Sequence, residues 1–172
     1  MINCEDKKVL FIDLDSTLIK TISGKTFPED ITDFRIQLPV LDKVIERFTN
    51  LDYFFIVTNQ GGIGKFITKN DFETKISSIC MFCGNYLRDK CSPRIIADNW
   101  EYCDSMDKAD PWRKPNTGML EYFYGYACIE NKAECIMIGD ASGKPGDFSD
   151  SDKKCAENFG IDYIDVRDFL NL

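Results

Sequence analysis

The chain has 172 residues, of which 44% are apolar and 29% are charged, a length and balance that suit one globular domain with its own core. Its net charge of −8 opposes general affinity for nucleic acid, which depends on Lys and Arg neutralising phosphates, so any such contact must be local. Histidine is absent, which excludes Ser-His-Asp and Cys-His catalysis and histidine-ligated metals.

Five apolar, β-branched or aromatic runs predict strands. In chain order they cover residues 9–12, 53–57, 94–97, 135–138 and 163–166. Between them, apolar residues recur at helical spacing over residues 41–48, 72–79 and 118–126. This alternation predicts an α/β fold in which helices cover both faces of a mainly parallel sheet.

No stretch reaches the roughly 20 apolar residues that span a bilayer. Acidic residues at Glu5 and Asp6 also stand where a secretory signal would carry apolar residues. We therefore expect a soluble, intracellular protein, in the nucleus or the cytoplasm, that does not contact membranes.

Asp13 and Asp15 directly follow the first apolar run, at the carboxyl end of a buried strand. Because alternate residues of an extended chain face the same side, both carboxylates could approach one reacting centre. One carboxylate can attack phosphorus and form an acyl-phosphate, while the other protonates the leaving oxygen and later activates water. With no histidine available, Asp15 is the candidate for the acid–base role.

Polar residues also end the second run and precede the third helix. Thr58 offers a hydroxyl, and the backbone at Gly61 and Gly62 can approach a phosphate closely. Lys114 would supply positive charge to balance Asp13 and a phosphoryl group. Each motif alone is more typical of an ordinary turn, but together they indicate a phosphoryl-transfer site.

Asp140 follows the fourth predicted strand. Because the carboxyl ends of parallel strands meet at one edge of a sheet, this carboxylate should lie near Asp13 and Asp15. Hard oxygen ligands of this kind suit Mg²⁺, so the sequence predicts a magnesium site at Asp13, Asp15 and Asp140.

These motifs, in this order, resemble the haloacid dehalogenase (HAD) superfamily, whose signature is Asp-x-Asp-x-Thr, a strand-terminal Thr or Ser, a Lys and a Gly-Asp pair. The resemblance narrows to the 3′-phosphatase domain of the polynucleotide kinase 3′-phosphatases. Similar segments lie at residues 23–28, 33–35, 58–64, 113–119, 139–145 and 147–149, followed by Asp152. The resemblance implies a three-layer α/β/α, Rossmann-like HAD fold with a central, mainly parallel sheet and a minimal cap. The chain departs from the family in lacking a kinase domain, so we expect a stand-alone phosphatase with one domain over residues 1–172.

The resemblance implies a role for each motif residue. Asp13 would be the nucleophile, and Asp15 would be the acid–base group and a metal ligand through its backbone carbonyl. Thr58 and Lys114 would bind phosphate, and Asp140 would bind Mg²⁺.

Asp152 is similar to a downstream acidic position of the family. A metal ligand, a residue that supports the ligands, and a helix cap are all open roles, and we favour the supporting one.

The activity implied is that of a Mg²⁺-dependent phosphatase that removes 3′-phosphate from DNA ends and leaves the 3′-hydroxyl needed for repair. We expect a monomer. Candidate substrate-binding residues lie in the motifs or could hold the rest of a polynucleotide: Thr17, Asn59, Gly61, Lys25, Lys65, Arg113 and Lys144. The alternatives are a small-molecule phosphatase of the same superfamily, acting on a sugar or histidinol phosphate, and a non-catalytic binding module.

Two residues depart from the family pattern, and a set of cysteines offers a competing interpretation. Ser16 stands where the family usually has Gly, and Phe34 where Trp is common. Four of the eight cysteines could together supply zinc thiolates: Cys80, Cys83, Cys91 and Cys103. Because the first two lie in an apolar stripe at helical spacing, we expect buried thiols instead.

Overall fold

The computed structural model describes residues 3–25, 28, 30–88 and 99–172. The elements, in chain order, are β1 (Val9–Ile12), β2 (Ile19–Lys20), β3 (Arg35–Ile36), α1 (Leu38–Arg47), β4 (Tyr53–Asn59), α2 (Lys69–Arg88), β5 (Trp100–Cys103), α3 (Gly118–Tyr126), β6 (Cys135–Gly139), α4 (Ser151–Phe159), β7 (Asp162–Asp165) and α5 (Val166–Leu170). Within these ranges no helix combines the length and apolar character needed to cross a bilayer.

Within the described residues, five strands form one parallel sheet in the order β5-β4-β1-β6-β7. Strand β1 lies at its centre, where Ile12 pairs with Ile56 on one side and with Ile138 on the other. All four residues of β1 are buried, as expected for a central parallel strand covered on both faces. This order places the carboxyl ends of β4, β1 and β6 side by side.

Alternate residues of the central strands belong to two separate apolar cores, one on each face of the sheet. Leu10 and Ile12 pack with side chains of α1, α2 and α5. Val9 and Phe11 pack with side chains of α3 and α4. The predicted three-layer α/β fold is therefore confirmed.

The predicted elements differ from the observed ones mainly at their ends. Strand β4 continues beyond residue 57 to Asn59, and Val166 opens α5 instead of closing β7. The predicted strand at residues 94–97 lies outside the described residues. Strand β5 was not predicted, because three of the four residues of this edge strand are only partly buried and leave no continuous apolar run.

A small antiparallel ribbon of β2 and β3 lies between β1 and α1, where the resemblance implies a minimal cap. Ile19 pairs with Ile36 in this ribbon. Between the two strands, the carboxylate of Asp33 accepts hydrogen bonds from the backbone N–H of Ser23 (2.8 Å) and from its hydroxyl (2.6 Å). These bonds link the two ends of the connection between β2 and β3.

Candidate active site

Asp13 is held at the end of the central strand by the sheet itself. Its backbone N–H donates to the carbonyl of Ile138 at 2.9 Å, so the ladder between β1 and β6 continues through it. Its side chain is buried, and Oδ1 lies 2.6 Å from Nζ of Lys114. A carboxylate buried here needs such a partner, because desolvation penalises its charged form.

The ammonium of Lys114 is buried at the centre of the site. Its Nζ lies 2.6 Å from Oδ1 of Asp13, 2.7 Å from Oδ1 of Asp152 and 2.9 Å from the carbonyl of Val57. These three partners match the three donors of an ammonium group. The side chain of Asn59 fixes the Lys114 backbone by donating to its carbonyl (2.9 Å) and accepting from its N–H (3.0 Å).

Three carboxylates form an acidic cluster around this lysine. Oxygen atoms of Asp13, Asp140 and Asp152 all lie within 4.8 Å of one another. Asp152 is held by the backbone N–H of Ala141, which donates to Oδ2 at 3.1 Å. A Cβ on Gly139 would stand 2.3 Å from that same oxygen, so glycine leaves the space that Asp152 occupies. A cluster of hard oxygen donors fits Mg²⁺.

The charges of the cluster are unbalanced. Burial raises the pKa of Asp13 well above its ordinary value, because Lys114 offsets the desolvation only in part and Asp152 and Asp140 add like charge. Burial, followed by the charge of Asp152, raises the pKa of Asp140 to about 6. Burial alone would lower the pKa of Lys114, but the two carboxylates bound to its ammonium raise that pKa above the usual range. Three carboxylates therefore surround one ammonium and leave excess negative charge, which a divalent cation would balance.

The carboxylate of Asp15 has a different partner. The side-chain amide of Gln60 donates to Oδ2 of Asp15 at 2.5 Å and to Oγ1 of Thr58 at 3.0 Å. Asp15 is partly exposed whereas Asp13 is buried, so the two carboxylates lie in different environments. Sequence reasoning gave Gln60 no role, although it lies within the polar segment that follows β4.

The loop after β1 contains two further features of the signature motif. Ser16 adopts a φ of 63°, in the left-handed region that favours glycine, which is the residue usual there in the family. Thr17 is fully buried, and no partner for its hydroxyl is found in the described part of the chain.

The candidate substrate-binding residues are not all available to a ligand. Arg113 donates to the carbonyl of Ser105 at 2.7 Å, and Lys144 lies 2.7 Å from a carboxylate oxygen of Asp168. Lys65 is exposed in the turn after β4. Lys25 lines a cavity next to the Asp15 loop. At Gly61 a Cβ would stand 2.1 Å from Sδ of Met106, so that side chain approaches the backbone closely.

The candidate zinc ligands lie in different surroundings. Cys80 and Cys83 are fully buried in the core formed by α1, α2 and α5. Burial raises the pKa of both Cys83 and Cys103, which favours the protonated thiols. Cys91 lies outside the described residues, so the expectation of thiols instead of a four-cysteine zinc site stays a prediction, and metal analysis showing no stoichiometric zinc would support it.

Comparison with known proteins identifies the family. The model of the polynucleotide kinase 3 phosphatase family matches residues 8–169. The chain belongs to this family. A bifunctional polynucleotide phosphatase/kinase of Schizosaccharomyces pombe is 32% identical over 167 residues, which cover 95% of this chain and 38% of the relative. The resemblance found in the motifs is therefore confirmed.

This member of the 3′-phosphatase family is also similar to proteins whose names do not mention polynucleotides. The histidine biosynthesis bifunctional protein HisB of Legionella pneumophila is 27% identical over 171 residues, covering 93% of this chain and 41% of HisB. A D,D-heptose 1.7-bisphosphate phosphatase from B. bronchiseptica, crystallised with magnesium and phosphate, shares the fold with a TM-score of 0.62. It is 15% identical, and the match covers 91% of this chain and 78% of that one. Family membership thus assigns the chain to the phosphatases, within the phosphoric monoester hydrolases, and the structural match shows the shared fold.

The chain spans less than half of each of the two sequence relatives, 38% of the yeast protein and 41% of HisB. Their names describe bifunctional proteins.

Proposed function

We propose that the protein is a Mg²⁺-dependent DNA 3′-phosphatase, which removes 3′-phosphate from strand ends and leaves the 3′-hydroxyl needed for repair. The observation that supports this chemistry is that the two carboxylates after β1 lie in different environments. Asp13 is buried against Lys114, whereas Asp15 is partly exposed and bound to Gln60. Membership in the polynucleotide kinase 3 phosphatase family supports the choice of substrate.

In the first step, the nucleophile is the Asp13 oxygen that Lys114 does not hold, Oδ2. It attacks phosphorus as the bond from phosphorus to the 3′-oxygen breaks. Asp15 gives its proton to the leaving oxygen, so the product strand leaves as an alcohol. The Lys114 ammonium keeps Asp13 oriented and balances charge that develops on the phosphoryl oxygens, and the Thr58 hydroxyl donates to one of them.

In the second step, Asp15 takes a proton from a water molecule, which attacks the aspartyl-phosphate on Asp13. Inorganic phosphate leaves, and both carboxylates return to their starting states. Asp140, Asp13 and the backbone carbonyl of Asp15 would hold Mg²⁺, which supplies positive charge next to the transferring phosphoryl group when bound. Asp152 would support the site by holding Lys114.

The test compares phosphate release from matched substrates. A 3′-phosphorylated DNA oligonucleotide, the same strand phosphorylated at its 5′ end, an RNA version and a panel of small phosphomonoesters are assayed with Mg²⁺. We expect the highest kcat/KM on the 3′-phosphorylated DNA. No activity on the 3′ end, together with good activity on a small phosphomonoester, would refute the proposal.

That opposite outcome would favour a small-molecule phosphatase, acting on a sugar or histidinol phosphate. The similarity to HisB and the net charge of −8 are the two observations that favour it. The five candidate catalytic and metal-binding residues are all present, which argues against a non-catalytic binding module: Asp13, Asp15, Thr58, Lys114 and Asp140.

We also propose that the protein acts as a single-domain monomer. The acidic cluster and the lysine at its centre all belong to one chain, so the site needs no second copy. Light scattering of the active protein tests this, and a dimer mass would contradict it.

A further inference from the structure

A cavity of about 340 Å³ opens next to Asp15, and neither Asp13 nor Lys114 lines it. Its walls come from the loop after β1, the β2–β3 ribbon and helix α2. Among the described residues, the charged side chains that line it are four cations and two carboxylates: Lys20, Lys25, Arg35, Lys75, Asp15 and Asp33. In a protein whose net charge is −8, a cavity with excess positive charge indicates a site for an anion.

Lys75 is the cation that lies deepest in this wall. It belongs to α2 and is only 8% exposed. Among the described residues no carboxylate lies within 4.0 Å of its Nζ, which instead stands 4.9 Å from the ring centroid of Phe34. Desolvating an ammonium is costly without a counter-ion, and a cation–π contact offsets only part of that cost. An anion that entered the cavity would complete the environment of Lys75.

The position of the cavity identifies which part of a substrate would enter it. Asp15 is the proposed acid for the leaving oxygen, so a group next to Asp15 belongs to the leaving side of the substrate. The alcohol released from a simple phosphomonoester carries no charge. A DNA strand that ends in a 3′-phosphate carries a phosphodiester on the 5′ side of its last nucleoside, and this is an anion of the required kind.

We propose that the cavity receives the last nucleoside of the strand, and that Lys75, positioned by Phe34, binds the phosphodiester on its 5′ side. This inference rests on the proposed function and deepens it. It makes Lys75 a residue that determines specificity for a polynucleotide end over a small phosphomonoester.

The test uses the variant Lys75→Met, which removes the charge but keeps an unbranched side chain. Lys69→Met is the matched control, because Lys69 lies on the same helix and is exposed. The two substrates are a short 3′-phosphorylated DNA oligonucleotide and a nucleoside 3′-monophosphate, which lacks the diester. We expect Lys75→Met to lower the ratio of kcat/KM on the oligonucleotide to that on the monophosphate about tenfold, and Lys69→Met to leave that ratio unchanged.

The salt dependence of oligonucleotide affinity gives a second readout. If Lys75 had a purely structural role, its replacement would leave this dependence unchanged. A contact with one backbone phosphate of a single strand contributes about 0.7 to the slope of log affinity against log salt concentration. We expect the slope measured on the oligonucleotide to fall by about this amount in Lys75→Met.

If thermal melting shows that Lys75→Met is unfolded, Arg35→Met replaces it, because Arg35 lines the same cavity and is exposed. The same selective loss on the oligonucleotide is expected. An equal loss on both substrates, or no loss on the oligonucleotide, would overturn the inference.

The failure of this inference differs from failure of the proposed function. If the wild-type protein prefers the 3′-phosphorylated oligonucleotide while the cavity variants match Lys69→Met, only the role of the cavity is refuted. If the wild-type protein acts instead on a sugar bisphosphate and Lys75→Met weakens that activity, the anion is a second phosphate of a small molecule. In that case the phosphodiester assignment and the proposed function are both overturned.

Discussion

The buried pair of Asp13 and Lys114 combines the two requirements of the proposed chemistry, a nucleophile and a charge that keeps it oriented. The pair lies in a crowded environment, because Asp140 and Asp152 bring two more carboxylates within reach of the same lysine. Holding like charges close together lowers the stability of the protein, and such arrangements are common at catalytic sites. Single substitutions can separate the two effects.

Asp13→Asn should abolish turnover, by about 10³-fold or more, because an amide cannot serve as the nucleophile. The side chain keeps its shape, and one of three crowded carboxylates is removed. We therefore expect the free energy of unfolding to stay the same or to rise. Steady-state kinetics and chemical denaturation measure both quantities, and turnover near the wild-type rate would refute the covalent mechanism.

Gly139→Ala tests the space that Asp152 occupies. The new Cβ would stand 2.3 Å from Oδ2 of Asp152, so the carboxylate that binds Lys114 must shift. We expect a loss of about 1–3 kcal/mol in the free energy of unfolding and a marked fall in kcat.

Gly125→Ala is the control for this substitution, because Gly125 lies in α3 and nothing stands within 4 Å of its added Cβ. It should leave activity unchanged and stabilise the protein by about 0.5–1 kcal/mol. Equal behaviour of the two variants would contradict the close approach at Gly139.

At the scale of elements, the ends of strands and the starts of helices position the functional groups. The sheet brings the ends of β4, β1 and β6 together, and α4 then delivers Asp152 to the same place. Helix α5 begins directly after β7, without a loop between them. Asp165 caps that helix, accepting from the backbone N–H of Arg167 at 2.8 Å.

Asp165→Ala should destabilise the protein by about 1–2 kcal/mol near neutral pH, because the cap and an ion pair with Arg167 are both lost. Burial alone would raise the pKa of Asp165, but hydrogen bonds from Arg167 lower that pKa below its ordinary value. A carboxyl with a lowered folded-state pKa contributes stability above its unfolded pKa and loses that contribution as the pH falls.

The difference between wild type and Asp165→Ala should therefore shrink in acid, as denaturation at several pH values would show. Asp165→Asn, which keeps the cap but not the charge, should lose less at neutral pH. A difference that is constant with pH would contradict this assignment.

At the scale of the whole molecule, the proposed magnesium site should couple metal binding to stability. Burial raises the pKa of Asp13, and it raises the pKa of Asp140 to about 6. For a carboxyl whose folded pKa is raised, ionisation costs stability as the pH rises from the unfolded pKa through the folded pKa. A bound cation would remove that cost, and protons would compete with it below about pH 6.

Mg²⁺ should therefore raise the melting temperature more near pH 7.5 than near pH 5. Thermal unfolding with and without Mg²⁺ at the two pH values measures the difference. Asp140→Asn should remove most of the shift at the higher pH. Equal shifts at both pH values would count against carboxylate ligation.

Much of the fold could be predicted from the sequence, because the central strands are buried on both faces and therefore appear as continuous apolar runs. The same reasoning placed Asp13, Thr58 and Asp140 near one another, since each stands at or just after the end of a parallel strand. The partly buried edge strand β5 lacks this signal and was not predicted. Motif order was enough to indicate the family.

The partners of each side chain were decided only by the tertiary structure. The bond from Lys114 to Asp152, the bond from Gln60 to Asp15, and the placement of Lys75 over Phe34 all join residues that are far apart in the sequence. These contacts depend on strand order and on how the helices pack against the sheet, which local periodicity does not encode. By itself the sequence determined the architecture and the chemical groups at the sheet edge, because burial and chain direction are local properties; the tertiary structure decided which of those groups touch.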